Sequence, residues 1–265
     1  MSILNRCNVH VYGSDTTPMV FAHGFGCDQN MWRFVAPAFE MHYKIVLFDY
    51  VGAGNSDLRF YDPEKYGSLD GYAADVLEIC HELKLKDVVF VGHSVSSVIG
   101  ILAAISEPDL FSKLVLVGPS PRYVNDGDYL GGFTQKDIQG LLDFLDRNYL
   151  GWVQAMAPQI MGNPERPELS EELTASFCRT DPEIARQFAH VTFLSDNRAD
   201  LPKVLADCLV LQCTEDIIAP PAVGKYVNEQ LPHSELVMIN TTGHCPHLSA
   251  PQETVQAIRD FLLRH

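Results

Sequence analysis

The chain has 265 residues, of which 46% are hydrophobic and 20% charged, a composition that can bury the core of one large domain or two small ones. Its formal net charge is −15 at pH 7, and an acidic surface repels phosphate backbones, so we expect no nucleic-acid partner. No apolar run approaches the roughly 20 residues that a membrane span needs, which excludes a membrane protein.

The N-terminal stretch "MSILNRCNVHVYG" lacks the long apolar segment of a secretory signal peptide. The 7 cysteines are odd in number and form no C-x-x-C pair, so the sequence predicts neither a disulfide framework nor a zinc site. We therefore expect a cytoplasmic protein with reduced thiols.

Short β-type runs recur along the chain, and several are apolar throughout: "NVHVYG", "MVFAHG", "KIVLFD", "VVFVGH", "KLVLVG", "CLVLQC" and "ELVMIN". Such runs suit strands that are buried on both faces of a parallel sheet. Helical patterns lie between them; residues 69–83 carry apolar side chains along one face, and the last helix repeats this pattern from Val255 to Leu262. Strands that alternate with helices predict a doubly wound α/β fold with a mostly parallel sheet.

One interval interrupts this alternation. About 90 residues separate "KLVLVG" from "CLVLQC", far more than one crossover helix requires. Apolar residues recur at helical spacing from Ile138 to Ile160, and several prolines follow. We predict that residues 120–200 form a helical cap inserted into a core made of residues 1–119 and 201–265. The cap would cover the carboxyl ends of the strands, where open α/β sheets place their ligand sites.

A serine follows the fourth run, within "VGHSVSSVIG". The pentapeptide "GHSVS", centred on Ser94, comes after a strand and opens a helix, which is the context of a nucleophile elbow. The small residues Gly92 and Ser96 would let the strand and the helix approach each other, although the usual motif has glycine at the second of these positions. The alternative is an ordinary serine that caps the helix N-terminus.

A serine hydroxyl is a weak nucleophile and needs a base. The chain order expected for this architecture is serine, acid, histidine. The segment "TTGHCPHLSAP" after the last strand offers His244, which we favour over His247. The segment "TEDIIAP" after the sixth strand offers Glu215 and Asp216. We favour Asp216, because its shorter side chain is better placed to orient the imidazole and stabilise its charged form.

Transfer of an acyl group also needs hydrogen-bond donors for the developing oxyanion. The segment "HGFG" follows the second strand, and we predict that the backbone N–H groups of Phe25 and Val95 are these donors. The glycine-rich segment "DYVGAGNSD" after the third strand is neither a Walker A loop nor a dinucleotide motif, and we interpret it as a structural turn.

Together these motifs resemble the α/β-hydrolase superfamily over essentially the whole chain. The segments "GPSPRYVND", "NYLGW", "DPEIARQFA" and "SDNRADL" further resemble small bacterial hydrolases of the RsbQ type, whose plant relatives are the karrikin and strigolactone receptors. The resemblance implies a triad of Ser94, His244 and Asp216 under a lid of four helices, with no metal and no cofactor. In the bacterial group it implies a hydrolase that acts with a PAS-domain phosphatase as a positive regulator of an energy-stress pathway. In the plant group it implies a slow hydrolase that is also the receptor of its ligand. Ser96 and "HLSAP" are closer to the receptors, so the subgroup stays open.

We hypothesise that Ser94 attacks an ester or lactone carbonyl while His244 takes its proton, and that water then hydrolyses the acyl-enzyme. An apolar pocket would receive a small hydrophobic ligand. Its candidate wall residues, each of which could instead pack in the cap or core, are Phe25, Phe133, Trp152, Met156, Phe177, Phe193 and Ile217. Three functions remain possible at this point: a signalling hydrolase of the RsbQ type, a metabolic carboxylesterase, and a receptor with vestigial hydrolysis.

Overall fold

The computed structural model describes residues 2–264. In this part of the chain, seven strands form one sheet: β1 His10–Tyr12, β2 Pro18–Ala22, β3 Lys44–Leu47, β4 Val88–His93, β5 Phe111–Val117, β6 Asp207–Glu215 and β7 Ser234–Thr242. Their order is β1-β3-β2-β4-β5-β6-β7, and every pairing is parallel except that of β1 with β3. The prediction of a mostly parallel α/β fold is confirmed.

Ten α-helices lie before, between and after these strands in the described residues. They are α1 Ile3–Arg6, α2 Leu69–Glu82, α3 Val95–Ser106, α4 Gln135–Arg147, α5 Tyr149–Met161, α6 Pro167–Arg179, α7 Pro182–Phe193, α8 Pro221–Gln230, α9 Pro246–Ser249 and α10 Pro251–Arg264. Short 3₁₀ helices cover Gln29–Trp32, Ala36–Phe39, Leu58–Phe60, Lys65–Gly67, Pro108–Leu110 and Arg198–Lys203. None of the helices between residues 2 and 264 has both the length and the apolar character of a membrane span.

Both faces of the sheet are buried, which explains the continuous apolar runs of the central strands. Alternate residues of one strand enter different cores: Phe90 packs with α2 and α3, whereas Val89 and Val91 pack on the opposite face with α10. Because successive side chains of a strand point to opposite faces, a strand between two helical layers needs apolar residues at every position.

Four helices, α4 to α7, lie between residues 120 and 200, and we call them the cap helices. The apolar stripe from residue 138 to residue 160 does not belong to one helix, because the chain leaves helical geometry at Asn148, with φ −151° and ψ 76°. The Asn148 side chain accepts a hydrogen bond from the Gly151 N–H and begins α5. Asparagine is a favoured N-cap, so one residue divides the predicted stripe into two helices.

The cap helices are attached to the core at the carboxyl end of the sheet. The His244 N–H donates to the carbonyl oxygen of Ile160 at 2.8 Å, which ties the end of α5 to the loop after β7. Gly243 lies so close to α5 that a Cβ there would stand 1.9 Å from the Met161 carbonyl oxygen. On α6, Glu172 forms a bidentate ion pair with Arg33, with both N–O distances 2.6 Å. Helices α5 and α6 therefore contact loops of the core, and α5 contacts the loop that carries His244.

The glycine-rich turn after β3 is organised by the buried carboxylate of Asp49. This carboxylate accepts hydrogen bonds from Asn8 Nδ2 at 2.7 Å, the Gln29 N–H at 2.8 Å and the Asn55 N–H at 2.9 Å. Gly54 approaches it so closely that a Cβ would lie 2.4 Å from its Oδ2 atom. All these donors belong to the protein itself, as a structural turn requires.

Replacing Asp49 by alanine should lower the free energy of unfolding by about 3 kcal/mol, because it removes a buried charged acceptor and leaves three hydrogen-bond donors without a partner. Urea denaturation followed by circular dichroism measures this change. The matched control is Asp128→Ala on an exposed loop, for which we expect less than about 0.5 kcal/mol. Equal effects of the two substitutions would contradict the structural role of Asp49.

Candidate active site

Ser94 stands in a strained turn between β4 and α3. Its φ of 58° and ψ of −124° lie outside the regions that residues with a side chain normally adopt. The Ser94 N–H is held by the Val117 carbonyl oxygen of the neighbouring strand at 2.7 Å. Within residues 2–264, its hydroxyl caps no backbone N–H of α3. The hydroxyl is therefore free to face the loop after β7, which an ordinary N-cap serine would not do.

The residues on either side of Ser94 make this turn possible. A Cβ at Gly92 would lie 2.5 Å from the Ser96 carbonyl oxygen, so only glycine fits there. Ser96 stands where the usual motif has a second glycine, and its hydroxyl donates to the His23 carbonyl oxygen at 2.5 Å. The Ser96 Oγ also lies 2.9 Å from the Tyr50 hydroxyl. The departure from the motif thus joins the serine turn to the loop after β2.

Three side chains from three strand ends form one hydrogen-bonded chain. The Ser94 Oγ lies 2.7 Å from Nε2 of His244, and Nδ1 of His244 lies 2.7 Å from Oδ2 of Asp216. Since a carboxylate accepts, Nδ1–H donates to Asp216 and Nε2 is left to accept the serine proton. All three side chains are buried. The other oxygen of Asp216 accepts from the backbone N–H groups of Ile218 at 2.8 Å and Ala219 at 3.0 Å, which fixes the carboxylate.

Glu215 and His247, the alternative acid and base that the sequence offered, make no hydrogen bond to Ser94. Glu215 is exposed, and its carboxylate accepts a hydrogen bond from the Thr242 hydroxyl at 3.2 Å. His247 is fully buried against the indole of Trp32, with ring centroids 4.7 Å apart. The structure thus brings Asp216 and His244, rather than Glu215 and His247, to the serine.

Sequence reasoning missed the role of His93. Its Nε2–H donates to the backbone carbonyl oxygen of His244 at 2.8 Å. This bond fixes the loop that carries the imidazole against the turn that carries Ser94. The histidine is visible in "GHSVS", but its partner is 151 positions away in the chain, so no local pattern reveals the contact.

The two predicted oxyanion donors lie at the same edge of the sheet as Ser94. The register pairs Ala22 with Gly92, so the loops after β2 and β4 begin side by side. A Cβ at Gly24 would stand 3.3 Å from the Ser94 Cβ, which shows how closely the "HGFG" backbone approaches the serine. Within the described residues, neither the Phe25 N–H nor the Val95 N–H has a backbone acceptor outside its own helix or strand.

The Phe25 ring is surrounded by aromatic rings of the cap helices. Its centroid lies 5.3 to 6.2 Å from four of them, all edge to face: Trp152, Phe177, Phe188 and Phe193. Such aromatic pairs each contribute about 0.5–1.5 kcal/mol beyond the burial of their surface. The position of one candidate oxyanion donor therefore depends on the packing of α5, α6 and α7.

A narrow apolar cavity of about 30 Å³ lies next to Ser94. It is lined by Phe25, Cys27, His93, Ser94, Tyr123, Ile160, Leu173, Phe177, Thr192, Phe193, Ile218, His244 and Cys245. A larger hollow of about 430 Å³ between α2 and α7 is open to solvent and contains none of these residues. Burial raises the pKa of the Tyr123 phenol, and the Ser94 hydroxyl acts in the opposite direction, so a neutral phenol faces the serine.

Of the candidate wall residues, Phe25, Phe177 and Phe193 line this cavity. Trp152 is fully buried and packs against Phe25 and Phe177 rather than lining the cavity. Phe133 and Met156 are partly buried and pack against the apolar cluster formed largely by the cap helices. Ile217 is 49% exposed and points away, whereas Ile218 takes the inward position. The hydrogen bonds that the Ile218 and Ala219 N–H groups donate to the Asp216 carboxylate set this turn and decide which isoleucine faces inward.

The chain is similar to known proteins over almost its whole length. Residues 19–257 match the model of the alpha/beta hydrolase family. A karrikin insensitive 2 receptor of Petunia hybrida is 39% identical over 97% of this chain and 94% of its own length. A strigolactone esterase of Arabidopsis thaliana is 38% identical over 99% of this chain and 98% of its own. The solved structure of a hydrolase from Oleispira antarctica is 40% identical and superposes with a TM-score of 0.96, covering 99% of this chain and 97% of that one.

Asp216→Asn should slow the reaction of Ser94 with a fluorophosphonate, a reagent that modifies activated serine hydroxyls. Asparagine keeps the acceptor for the Ile218 and Ala219 N–H groups but turns an amide donor towards His244, so the imidazole takes the wrong tautomer. We expect the labelling rate to fall roughly 1,000-fold or more. Glu215→Gln, one residue earlier and exposed, is the control and should label at the wild-type rate. Intact-mass spectrometry over time measures both rates, and equal slowing would argue against Asp216 as the orienting acid.

Proposed function

The chain belongs to the alpha/beta hydrolase family, and on that premise we propose that it hydrolyses a small hydrophobic ester or lactone through an acyl-enzyme on Ser94. The observation that carries the proposal is the buried chain of two 2.7 Å hydrogen bonds from Ser94 through His244 to Asp216. A serine, a base and an orienting acid in this geometry are the parts that acyl transfer needs.

In the proposed mechanism, Ser94 Oγ attacks the carbonyl carbon while Nε2 of His244 accepts the hydroxyl proton. The carbonyl oxygen becomes an oxyanion next to the N–H groups of Phe25 and Val95, and Asp216 stabilises the imidazolium. The tetrahedral intermediate collapses, and the leaving alcohol or enol takes the proton from His244. Water then attacks the acyl group, His244 accepts the water proton, and a second collapse releases the acid and restores Ser94.

The cavity limits the acyl group that Ser94 can receive. Its volume of about 30 Å³ is a few times what a single water requires. Its walls are almost entirely apolar, and the rings of Phe177 and Phe193 close it on the side of the cap helices. A short acyl chain or a compact lactone ring suits this space, and a longer chain would require the cavity to enlarge. An apolar pocket with few polar anchors suits a small hydrophobic ligand.

We also propose that the hydrolase serves signalling. Support comes from the receptor among its relatives at 39% identity over nearly the whole chain, and from the resemblance to the RsbQ type in the sequence. In that role a signalling protein such as a PAS-domain phosphatase would be the partner, and the cytoplasm would keep the seven free cysteines reduced. A metabolic carboxylesterase is the second candidate, favoured by the relative named an esterase.

Ser94→Ala should abolish hydrolysis of p-nitrophenyl acetate and the mass increase of one acyl group that the wild type shows. With the wild type, we expect the rate to fall as the acyl chain lengthens from acetate to octanoate. Turnover and intact mass are followed in the same reaction. A slow burst with a lasting adduct supports the signalling role, and fast turnover supports the metabolic esterase. Equal hydrolysis by both proteins would remove Ser94 from the mechanism.

Phe177→Leu should shift the preference towards longer acyl chains by roughly 10-fold, because each methylene accommodated in an apolar pocket is worth about 1–3 kcal/mol. Phe188→Leu is the matched control, since Phe188 also packs on Phe25, at 5.7 Å, but lies outside the residues that line the cavity. Values of kcat/KM for a series of p-nitrophenyl esters measure the shift. The same shift in both variants would show that loosening of the cap helices, rather than cavity volume, sets the specificity.

A further inference from the structure

Behind the Ser94–His244 pair, three side chains with metal-binding atoms meet in the interior. Each of His93, Cys245 and His247 offers one potential ligand atom, and these three atoms lie within 4.8 Å of one another. The exposed fractions of these residues are 3%, 1% and 0%, so the cluster is closed to bulk water. The proposed hydrolysis uses none of these three ligand atoms.

The tautomer of His93 is fixed by its neighbour. Its Nε2–H donates to the His244 carbonyl oxygen at 2.8 Å, so Nδ1 of the neutral ring carries a lone pair. Within the described residues this buried Nδ1 has no hydrogen-bond partner. A Cβ at position 24 would lie 2.6 Å from it, so the backbone of Gly24 packs closely beside this nitrogen and no larger residue fits there. A histidine that donates its other N–H to a backbone carbonyl is the usual arrangement of a metal ligand.

His247 has no partner for either ring nitrogen among residues 2–264. Its ring lies between Trp32, at 4.7 Å, and His93, at 4.5 Å between centroids. Burial, with the nearby His244, lowers the pKa of His247 to about 3, and burial holds that of His93 well below its ordinary value. Each ring therefore keeps at least one nitrogen without a hydrogen-bond partner among residues 2–264, and that nitrogen can offer a lone pair. A buried polar group without a partner costs about 1–3 kcal/mol and calls for an explanation.

We propose that Nδ1 of His93, Sγ of Cys245 and one ring nitrogen of His247 bind a single copper(I) ion. Thiolate and imidazole are soft and borderline ligands of the kind that select copper(I) and zinc. On binding, the Cys245 thiol gives its proton to solvent and the thiolate takes its place at the ion. With bonds of about 2.1 Å in a three-coordinate site, the ligand atoms would stand roughly 3.6 Å apart, so binding requires the three side chains, which offer one candidate atom each within 4.8 Å of one another, to close inwards.

Charge decides between the two metals. Copper(I) with one thiolate and two neutral imidazoles has no net charge, whereas zinc(II) in the same site leaves one positive charge in an apolar interior. An uncompensated buried charge is costly. Zinc also prefers a fourth ligand, which the three residues do not supply. His93 and Cys245 also line the cavity beside Ser94, so the cluster adjoins the candidate active site.

The test measures metal binding directly and so does not depend on the proposed function. It uses the full chain with Cys178→Ser, because Cys178 is the exposed thiol and would bind copper(I) adventitiously. With oxygen excluded, the protein is titrated into the coloured copper(I)–bicinchoninate complex. We expect one equivalent of copper(I) to be withdrawn, and zinc(II) in a parallel titration to bind at least tenfold more weakly.

Cys245→Ser and His247→Phe in the same background should each lower the copper(I) affinity by more than about 100-fold, since even outer-sphere substitutions cost roughly 10- to 100-fold. The control is Cys27→Ser, which removes another buried thiol that lines the same cavity and should leave the affinity unchanged. Thermal melts confirm that each variant is folded. No copper(I) withdrawn by the folded background protein, tighter binding of zinc(II), or loss of binding in Cys27→Ser alone would each overturn the proposal.

Discussion

The parallel register of the central sheet is the constraint on which the site depends. Parallel pairing of β4, β5, β6 and β7 puts all their carboxyl ends at one edge, so residues 94, 216 and 244 meet although they are far apart in the chain. The turns after these strands then decide which atoms face each other. The strained φ of Ser94 and the two N–H groups that hold Asp216 orient a serine and a carboxylate towards the same imidazole.

The cap helices and the site form one packed unit. The rings of α5, α6 and α7 surround Phe25, and the end of α5 accepts a hydrogen bond from the His244 N–H. Displacement of these helices would therefore alter both a candidate oxyanion donor and the loop of the base. The small cavity beside Ser94 is lined in part by residues of these helices, among them Phe177 and Phe193. In a signalling hydrolase this coupling would let the surface of the cap report on what occupies the pocket.

Three histidines lie in contact beneath the cap and have different environments. His244 is paired on both nitrogens, His93 on one, and His247 on neither among the described residues. The ring of His93 packs against both others, at 5.0 Å from His244 and 4.5 Å from His247. The chain thus places its candidate base next to a buried pair of neutral imidazoles whose lone pairs remain available, an arrangement that the hydrolytic reaction alone does not require.

The strands, their parallel arrangement and the candidates Ser94, Asp216 and His244 could be predicted from the amino-acid sequence, because buried strands need continuous apolar runs and the chain order of this architecture is fixed. The tertiary structure alone decided the break at Asn148, the inward turn of Ile218 in place of Ile217, and the partner of His93. Each of these depends on a single turn or on a hydrogen bond between distant residues. Periodicity reports which side chains are buried, whereas the direction in which a loop residue points is set by contacts that form only when the whole chain is folded.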